Sequence, residues 1–317
     1  MSYTFGALPT LGFALPFRNL SFGKWSGALP DQFAYLAGTP TGTHSEYNPG
    51  FDLSRACRIT DTGVISSASN TLVQYIDLPS YIPNGQVTHV GAAVLSDLGG
   101  SYGSGKAVVK LIQVTTGDLA SIYNENVASW AIIDGNSTAG INTANGDLGI
   151  KFEIRSYNSE ADPAGLFDCL MAQHGRTAAE RYYAFTHYPD LSGVEITPFT
   201  FSVDKRGAGG DLLSYDQTGG AVKWRIKFPF FNVPSAFVEV LNEFWAYSRG
   251  LYGPARPIVL THNLVNVSAA HTTGQDFLHR PPWIICKIVN DELPFQTPAG
   301  QFLGADMFDG TLIFEEV

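Results

Sequence analysis

The strongest constraint on the fold lies in residues 221–267, where two hydrophobic periods follow each other directly. Val222, Trp224, Ile226, Phe228 and Phe230 alternate with Lys223, Arg225 and Lys227, which is the period of a strand with one buried face. Pro234 and Ser235 then open a helix in which Phe237, Val240, Leu241 and Phe244 recur at i, i+3, i+4 and i+7 as one apolar stripe. Gly250 stops it, and Pro254 and Pro257 bracket a return to extended chain at residues 258–260. This pattern calls for a helix packed between two strands, and it holds no catalytic group.

Glycine and proline set the character of the remainder. Thirty-three glycines and 18 prolines, with only 15% charged residues, favour many short strands and turns over long helices. A length of 317 residues with 44% hydrophobic content suits about two domains, each with its own core. A net charge of −10 argues against nucleic-acid binding, which needs a basic surface. Only Lys223, Arg225 and Lys227 are locally dense, either as a solvated strand face or as a face that meets an acidic neighbour. Cys57, Cys169 and Cys286 lie in unrelated segments and read as buried free thiols, which suits maturation in a reducing cytoplasm. Residues 1–18 are apolar but broken by Pro9 and Pro16 and lack a basic lead, so they read as neither signal peptide nor membrane span. Their lack of periodicity predicts an arm that orders only against a partner.

In the first half, strands are expected around residues 71–79, 87–94, 106–114 and 148–155. In the last of these Leu148, Ile150, Phe152 and Ile154 point inward while Lys151, Glu153 and Arg155 point outward. The polar, turn-rich residues 158–163 mark a boundary. Two short helices are expected just beyond it. One starts at Asp162-Pro163 and carries Leu166, Phe167, Leu170 and Met171; the other starts at the capping box Thr177-Ala178-Ala179-Glu180. Phe199, Phe201 and Val203 suggest one more strand, and residues 205–210 read as a Gly-rich contact loop rather than a phosphate cradle.

Two resemblances attach to these segments. The strand, the helix ending in Phe244-Trp245 and Arg249-Gly250, the Pro-rich strand after it and the closing residues 311–317 together resemble distal-tail and minor tail-tip proteins of long-tailed bacteriophages, over about residues 197–317. That resemblance implies a tube-like β domain forming a ring at the end of a tail, in which Lys223, Arg225, Lys227 and Arg249 would be assembly contacts. The order Asn19-Leu20-Ser21-Phe22, Trp25 and the run Gln74-Tyr75-Ile76 is similar to jelly-roll carbohydrate-binding modules, over about residues 19–157. The loops at residues 61–70 and 96–105 carry no motif of that family.

The resulting expectation is a mainly β chain: an arm at residues 1–18, a jelly-roll β-sandwich at 19–157, and a tail-tube-like β domain with one packed helix at 158–317. Saccharide binding by such a sandwich needs an exposed aromatic ring and polar side chains beside it. Trp25, Tyr35, Tyr47 and Trp130 are the aromatic candidates, with Asn48, Asn136 and Asn142 as polar partners. Trp25 and Trp130 have apolar neighbours and read more readily as core, which leaves Tyr47, in a loop beside Asn48, as the better candidate. No catalytic residue, metal ligand set or cofactor motif emerges: the acidic residues are scattered, the seven histidines show no HExxH spacing, and there is no GxSxG elbow. The function expected is that of a non-enzymatic virion protein of a phage tail tip, assembled in the host cytoplasm. Its expected partners are copies of itself in a ring, other tail proteins and a host-surface glycan, without membrane insertion. A free lectin or adhesin, or a capsid or decoration protein, are the rival classes.

Overall fold

The computed structural model describes all residues except 1–2, 37–42, 52–54, 61–70, 96–104, 116, 126–128, 157–163, 200–201, 207–211, 217–222, 267–280, 293 and 297–306. In the first half the strands are β1 (Tyr3–Phe5), β2 (Thr10–Ala14), β3 (Trp25–Ser26), β4 (Leu29–Pro30), β5 (Ala34–Tyr35), β6 (Thr43–Tyr47), β7 (Ala56–Thr60), β8 (Leu72–Ile76), β9 (Thr88–Leu95), β10 (Gly105–Gln113), β11 (Gly117–Glu125), β12 (Ala131–Asn136), β13 (Leu148–Ser156) and β14 (Ala164–His174). The second half has β15 (Tyr183–Ala184), β16 (Glu195–Phe199), β17 (Ser202–Arg206), β18 (Leu212–Asp216), β19 (Lys223–Pro234), the helix α1 (Ser235–Arg249), β20 (Ile258–Thr261), β21 (Leu264–Asn266), β22 (Trp283–Ile288), β23 (Phe295–Gln296) and β24 (Met307–Glu316). The chain divides into two compact units. One is Gly12–Tyr183 with Ala270–Pro281; the other is Met1–Leu11, Ala184–Ala269 and Pro282–Val317.

The first unit is a jelly-roll β-sandwich. One sheet has the order β11-β10-β13-β8-β5. In the other, β12, β9 and β14 pair in that order, with β7 against the first part of β14 and β6 against β7. The inward rows expected for β13 are present: Leu148, Ile150 and Phe152 are fully buried. Phe152 meets Phe22, Phe33 and Phe167 at ring separations of 5.3, 5.2 and 5.0 Å, so residues far apart in the chain build one aromatic core. Gln74 points into that core and pins the segment before it. Its carboxamide accepts from the Arg18 backbone N–H at 2.6 Å and donates to the Arg18 carbonyl at 2.9 Å.

Both helices expected after residue 158 are absent among the described residues. Residues 164–174 form β14, all of them buried. Leu166, Phe167, Leu170 and Met171 satisfy a helical stripe, but they equally suit a central strand buried on both faces, and β7 and β9 supply the ladder that decides it. A register shift between Asp168 and Met171, with Cys169 at φ 49°, marks a bulge. There the buried Asp168 carboxylate accepts from the Phe51 and Cys169 backbone N–H groups at 2.8 and 2.7 Å. The capping-box residues Thr177–Glu180 make a turn instead. Glu180 N–H donates to the Thr177 carbonyl at 3.2 Å, and the Glu180 carboxylate accepts from the Arg176 backbone. Because β14 pairs inside the sandwich, the unit ends after Tyr183 rather than at residues 158–163, which lie outside the described residues. Residues 61–70 and 96–104 also lie outside them.

The second unit contains the strand–helix–strand pattern as read. Its sheet runs β20-β22-β24-β19-β16. Ile226, Phe228 and Phe230 of β19 are fully buried, as are Leu241 and Phe244 of α1, and the Phe230 and Phe237 rings lie 5.3 Å apart. Val240 of the expected stripe is half-buried, and Val238 takes a buried place beside it. Gly250 caps the helix at φ 76°, a left-handed conformation that strains residues with a side chain, and donates to the Ala246 and Tyr247 carbonyls. Ser248 ties α1 to β22 by accepting from Ile288 N–H at 2.9 Å.

The arm expected to be unstructured is divided: residues 12–18 belong to the sandwich, where Phe13 and Ala14 pair with β14, and the part up to Leu11 belongs to this unit. β1 pairs with β21, Gly6 N–H donates to the Asn263 carbonyl at 2.8 Å, and Phe5 packs edge-on against Phe228 at 5.8 Å. Its alternation was too short to register as a strand; a partner some 260 positions away supplies the ladder. Lys205 and Arg206 end β17, paired with Leu213 and Leu212, and residues 207–210 of the expected contact loop lie outside the described residues.

Candidate functional site

The expected site residues occupy several places. Trp25, in the β3–β4 hairpin, is half-buried, and its indole N–H donates to the Phe22 carbonyl at 2.8 Å. Tyr47 ends β6 and is 38% exposed, with Asn48 exposed after it. Trp130 is half-buried and meets Phe51 edge-on at 5.8 Å, so it approaches the turn that follows Tyr47 and Asn48. Asn136 is exposed at the end of β12, opposite His89 of β9. Tyr35 packs on His44 at 4.9 Å, and the Asn142 carboxamide accepts from Ala144 N–H within its own turn. Trp130 and the Tyr47 turn therefore converge, whereas Trp25 belongs to a separate hairpin.

In the second unit, the acidic neighbour of the basic β19 face lies in the same chain. Arg225 is ion-paired with Glu315 of β24, Lys227 with Glu195 of β16 at 3.1 Å, and Lys223 donates to the Val317 carbonyl at 3.0 Å. Arg249 is exposed in the last turn of α1. These cross-strand pairs set strand register more than they add stability, because exposed ion pairs contribute little.

A different constellation gathers on the outward face of the five-stranded sheet. Inward rows of β13 alternate with Gly149, Lys151 and Glu153, which share the outward face with Tyr75 and Val73 of β8 and with Ile112, Lys110 and Val108 of β10. One cross-strand row reads Tyr75, Gly149, Ile112 and Asp118, and the next reads Val73, Lys151, Lys110 and Ser121. Tyr75 is 45% exposed, and Val114 beyond the end of β10 is 58% exposed. The tyrosine ring rests against Gly149: a Cβ there would come within 2.8 Å of its Cε1. Glycine thus makes the seat on which the ring is held.

At the other end of the row Asp118 draws in two lysines. Lys110 Nζ is ion-paired with Asp118 Oδ2, and Lys151 Nζ lies 3.8 Å from Asp118 Oδ1. The lysine side chains are 8% and 14% exposed, whereas that of Asp118 is 43% exposed. Glu153, buried in the same face, accepts from the Thr71 hydroxyl at 3.4 Å. The arrangement is a shelf with an exposed ring at one side and an exposed carboxylate at the other, between which Val73, Val108, Lys110 and Ile112 are buried. Tyr75 escaped sequence reading although its signal was present: with Leu72, Gln74 and Ile76 inward, alternation turns Tyr75 out. Among the described residues no group of three side chains suits a metal ion.

No family model matches the chain, and no curated protein matches it. Solved structures do show likeness. TmCBM61 in complex with β-1,4-galactotriose matches at 16% identity and a TM-score of 0.34, over 50% of this chain and 97% of that one. A Stig cyclase, Fisc, from Fischerella sp. TAU matches at 13% identity and 0.36, over 52% and 98%. The enzymatically active domain of tailspike protein 4 of bacteriophage CBA120 matches at 13% identity and 0.34, over 50% of this chain and 21% of that one. These are proteins of unlike activity, and the likeness selects none of them.

Proposed function

We propose that the protein is a non-catalytic component of a bacteriophage tail tip whose sandwich unit binds saccharide through the Tyr75 shelf. The Tyr75 ring carries the saccharide reading, because it is exposed, held in place by Gly149, and aligned with Asp118 in one row across four strands. A pyranose presents a C–H face to such a ring and hydroxyls to a neighbouring carboxylate and ammonium. Three strand spacings, roughly 14 Å, separate the ends of the row. The tail-tip part is supported by the second unit, in which β19, α1, β20 and the closing β24 realise the pattern that resembles tail-tip proteins. Its role is assembly with copies of itself and with other tail proteins, and its place is the virion.

Glycan-array binding by the full chain tests the first part. Tyr75→Ala should lose binding at least tenfold with little change in melting temperature, while Tyr75→Phe should retain it; unaltered binding by the alanine variant would remove this face from consideration. Negative-stain imaging tests the second part: closed rings support a tail tip, and solitary molecules that still bind glycan favour a free lectin. Saccharide released on incubation with a bound glycan would overturn the non-catalytic role.

A further inference from the structure

We infer that the second unit joins copies of itself through two unlike surfaces, an aromatic and basic one at the C-terminal end of α1 and an acidic one beside its N-terminal half; this rests on the reading of that unit as the part that assembles. The first surface is built on a turn. Leu251 and Tyr252, just past the Gly250 cap, are 60% and 64% exposed. The turn is held to the helix: Leu251 N–H donates to the Ala246 carbonyl at 2.9 Å, and Arg256 N–H to the Tyr247 carbonyl at 3.1 Å. The Tyr252 ring stands edge-on to Tyr247 at 5.4 Å, and the Arg256 guanidinium covers the Tyr247 ring at 4.2 Å. Arg249, two residues before Leu251, is exposed and has no ion pair among the described residues. Tyrosine and arginine carry much of the energy of protein interfaces, and a ring already fixed in place loses little freedom on binding.

The second surface is acidic. Glu239 is exposed and Glu243 half-buried one turn further along α1, and Asp291 and Glu292 are exposed just after β22. Two contacts orient that segment. Ile288 N–H meets the Ser248 hydroxyl and the Asn290 carbonyl meets the Trp245 indole, so the chain leaves β22 toward the N-terminal half of the helix, away from Arg249. Ten helical residues put Glu239 about 15 Å from Arg249, too far for them to satisfy each other. The helix dipole accounts for the signs of Glu239 and Arg249, but not for two large apolar side chains in water or for Asp291 and Glu292. On a chain of net charge −10, copies repel unless a basic surface of one meets an acidic surface of the next. Because the two surfaces differ, each copy still offers one of each after a contact forms, which is the condition for a ring.

Sedimentation velocity of the full chain across a range of concentrations, with negative-stain imaging, tests the contact. Tyr252→Ala and Arg249→Glu should each weaken self-association at least about tenfold without shifting the melting temperature, because both side chains are exposed. Tyr252→Phe should keep it, and rising salt should weaken it. The double variant Asp291→Lys, Glu292→Lys should also fail to assemble alone. Mixed with the Arg249→Glu chain it should assemble again, since each then carries the charge that the other lacks; a mixture no more assembled than its components would overturn the contact between unlike surfaces. Rings of unchanged stability in both Tyr252→Ala and Arg249→Glu would overturn this interface and leave the assembly reading standing. A wild-type chain that stays monomeric at every concentration would overturn both.

Discussion

Asn290 does the work of a short strand with one side chain. Its Nδ2 donates to the Thr311 carbonyl at 2.7 Å, its Oδ1 accepts from Ile313 N–H at 2.9 Å, and its backbone carbonyl accepts the Trp245 indole N–H at 3.0 Å. Asn290→Ala would strip two β24 backbone groups of their partners and should lower stability by about 1–3 kcal/mol in denaturant titrations. Asn290→Asp can accept but not donate, and should recover only part of the loss; full stability of the alanine variant would contradict this role. His89 governs a pH response. Burial holds its imidazole below the ordinary histidine value, against the opposing pull of Asp134; the 3.0 Å contact between them is then a hydrogen bond from a neutral ring. Because the folded value lies below the unfolded one, the unfolded chain takes up more protons as pH falls through about 6.5, and stability present above that pH is lost. The melting temperature should therefore fall between pH 7.5 and 5.5 more steeply in the wild type than in His89→Gln. Parallel slopes would rule the residue out.

At the scale of elements, legibility followed how far each element depends on partners. α1 was readable because its stripe, its start at Pro234–Ser235 and its Gly250 cap are all local, and the β19 alternation was equally plain. β14 was misread because a strand buried on both faces has no alternation, and its apolar residues fit a helix as well. The Thr177–Glu180 box kept its hydrogen-bonding residues but had no apolar stripe to extend it into a helix. β1 was missed because its ladder comes from β21, far along the chain. Deleting residues 1–9 should thus expose Phe228 and leave β21 without its partner. Limited proteolysis should then cut within residues 184–266 sooner than in the intact chain, and an unchanged digestion pattern would restore the picture of a dispensable arm.

At the scale of the molecule, two compact units with separate aromatic cores predict that unfolding is not a single two-state transition. Differential scanning calorimetry should resolve two components, of which Asn290→Ala moves only one; a calorimetric enthalpy equal to the van't Hoff value would refute this. The sequence by itself determined the β-rich character, the single well-signalled helix, and which side chains of β13 and β19 face inward, because each follows from composition or from a period of two or 3.6 residues. Only the tertiary structure decided that residues 164–174 are a strand, that residues 3–9 belong with the second half, and that Tyr75, Gly149, Ile112 and Asp118 share one row. Those outcomes depend on which strands lie side by side. Pairing between distant residues is settled by burial and backbone hydrogen bonding across the sheet, and a local pattern does not record it.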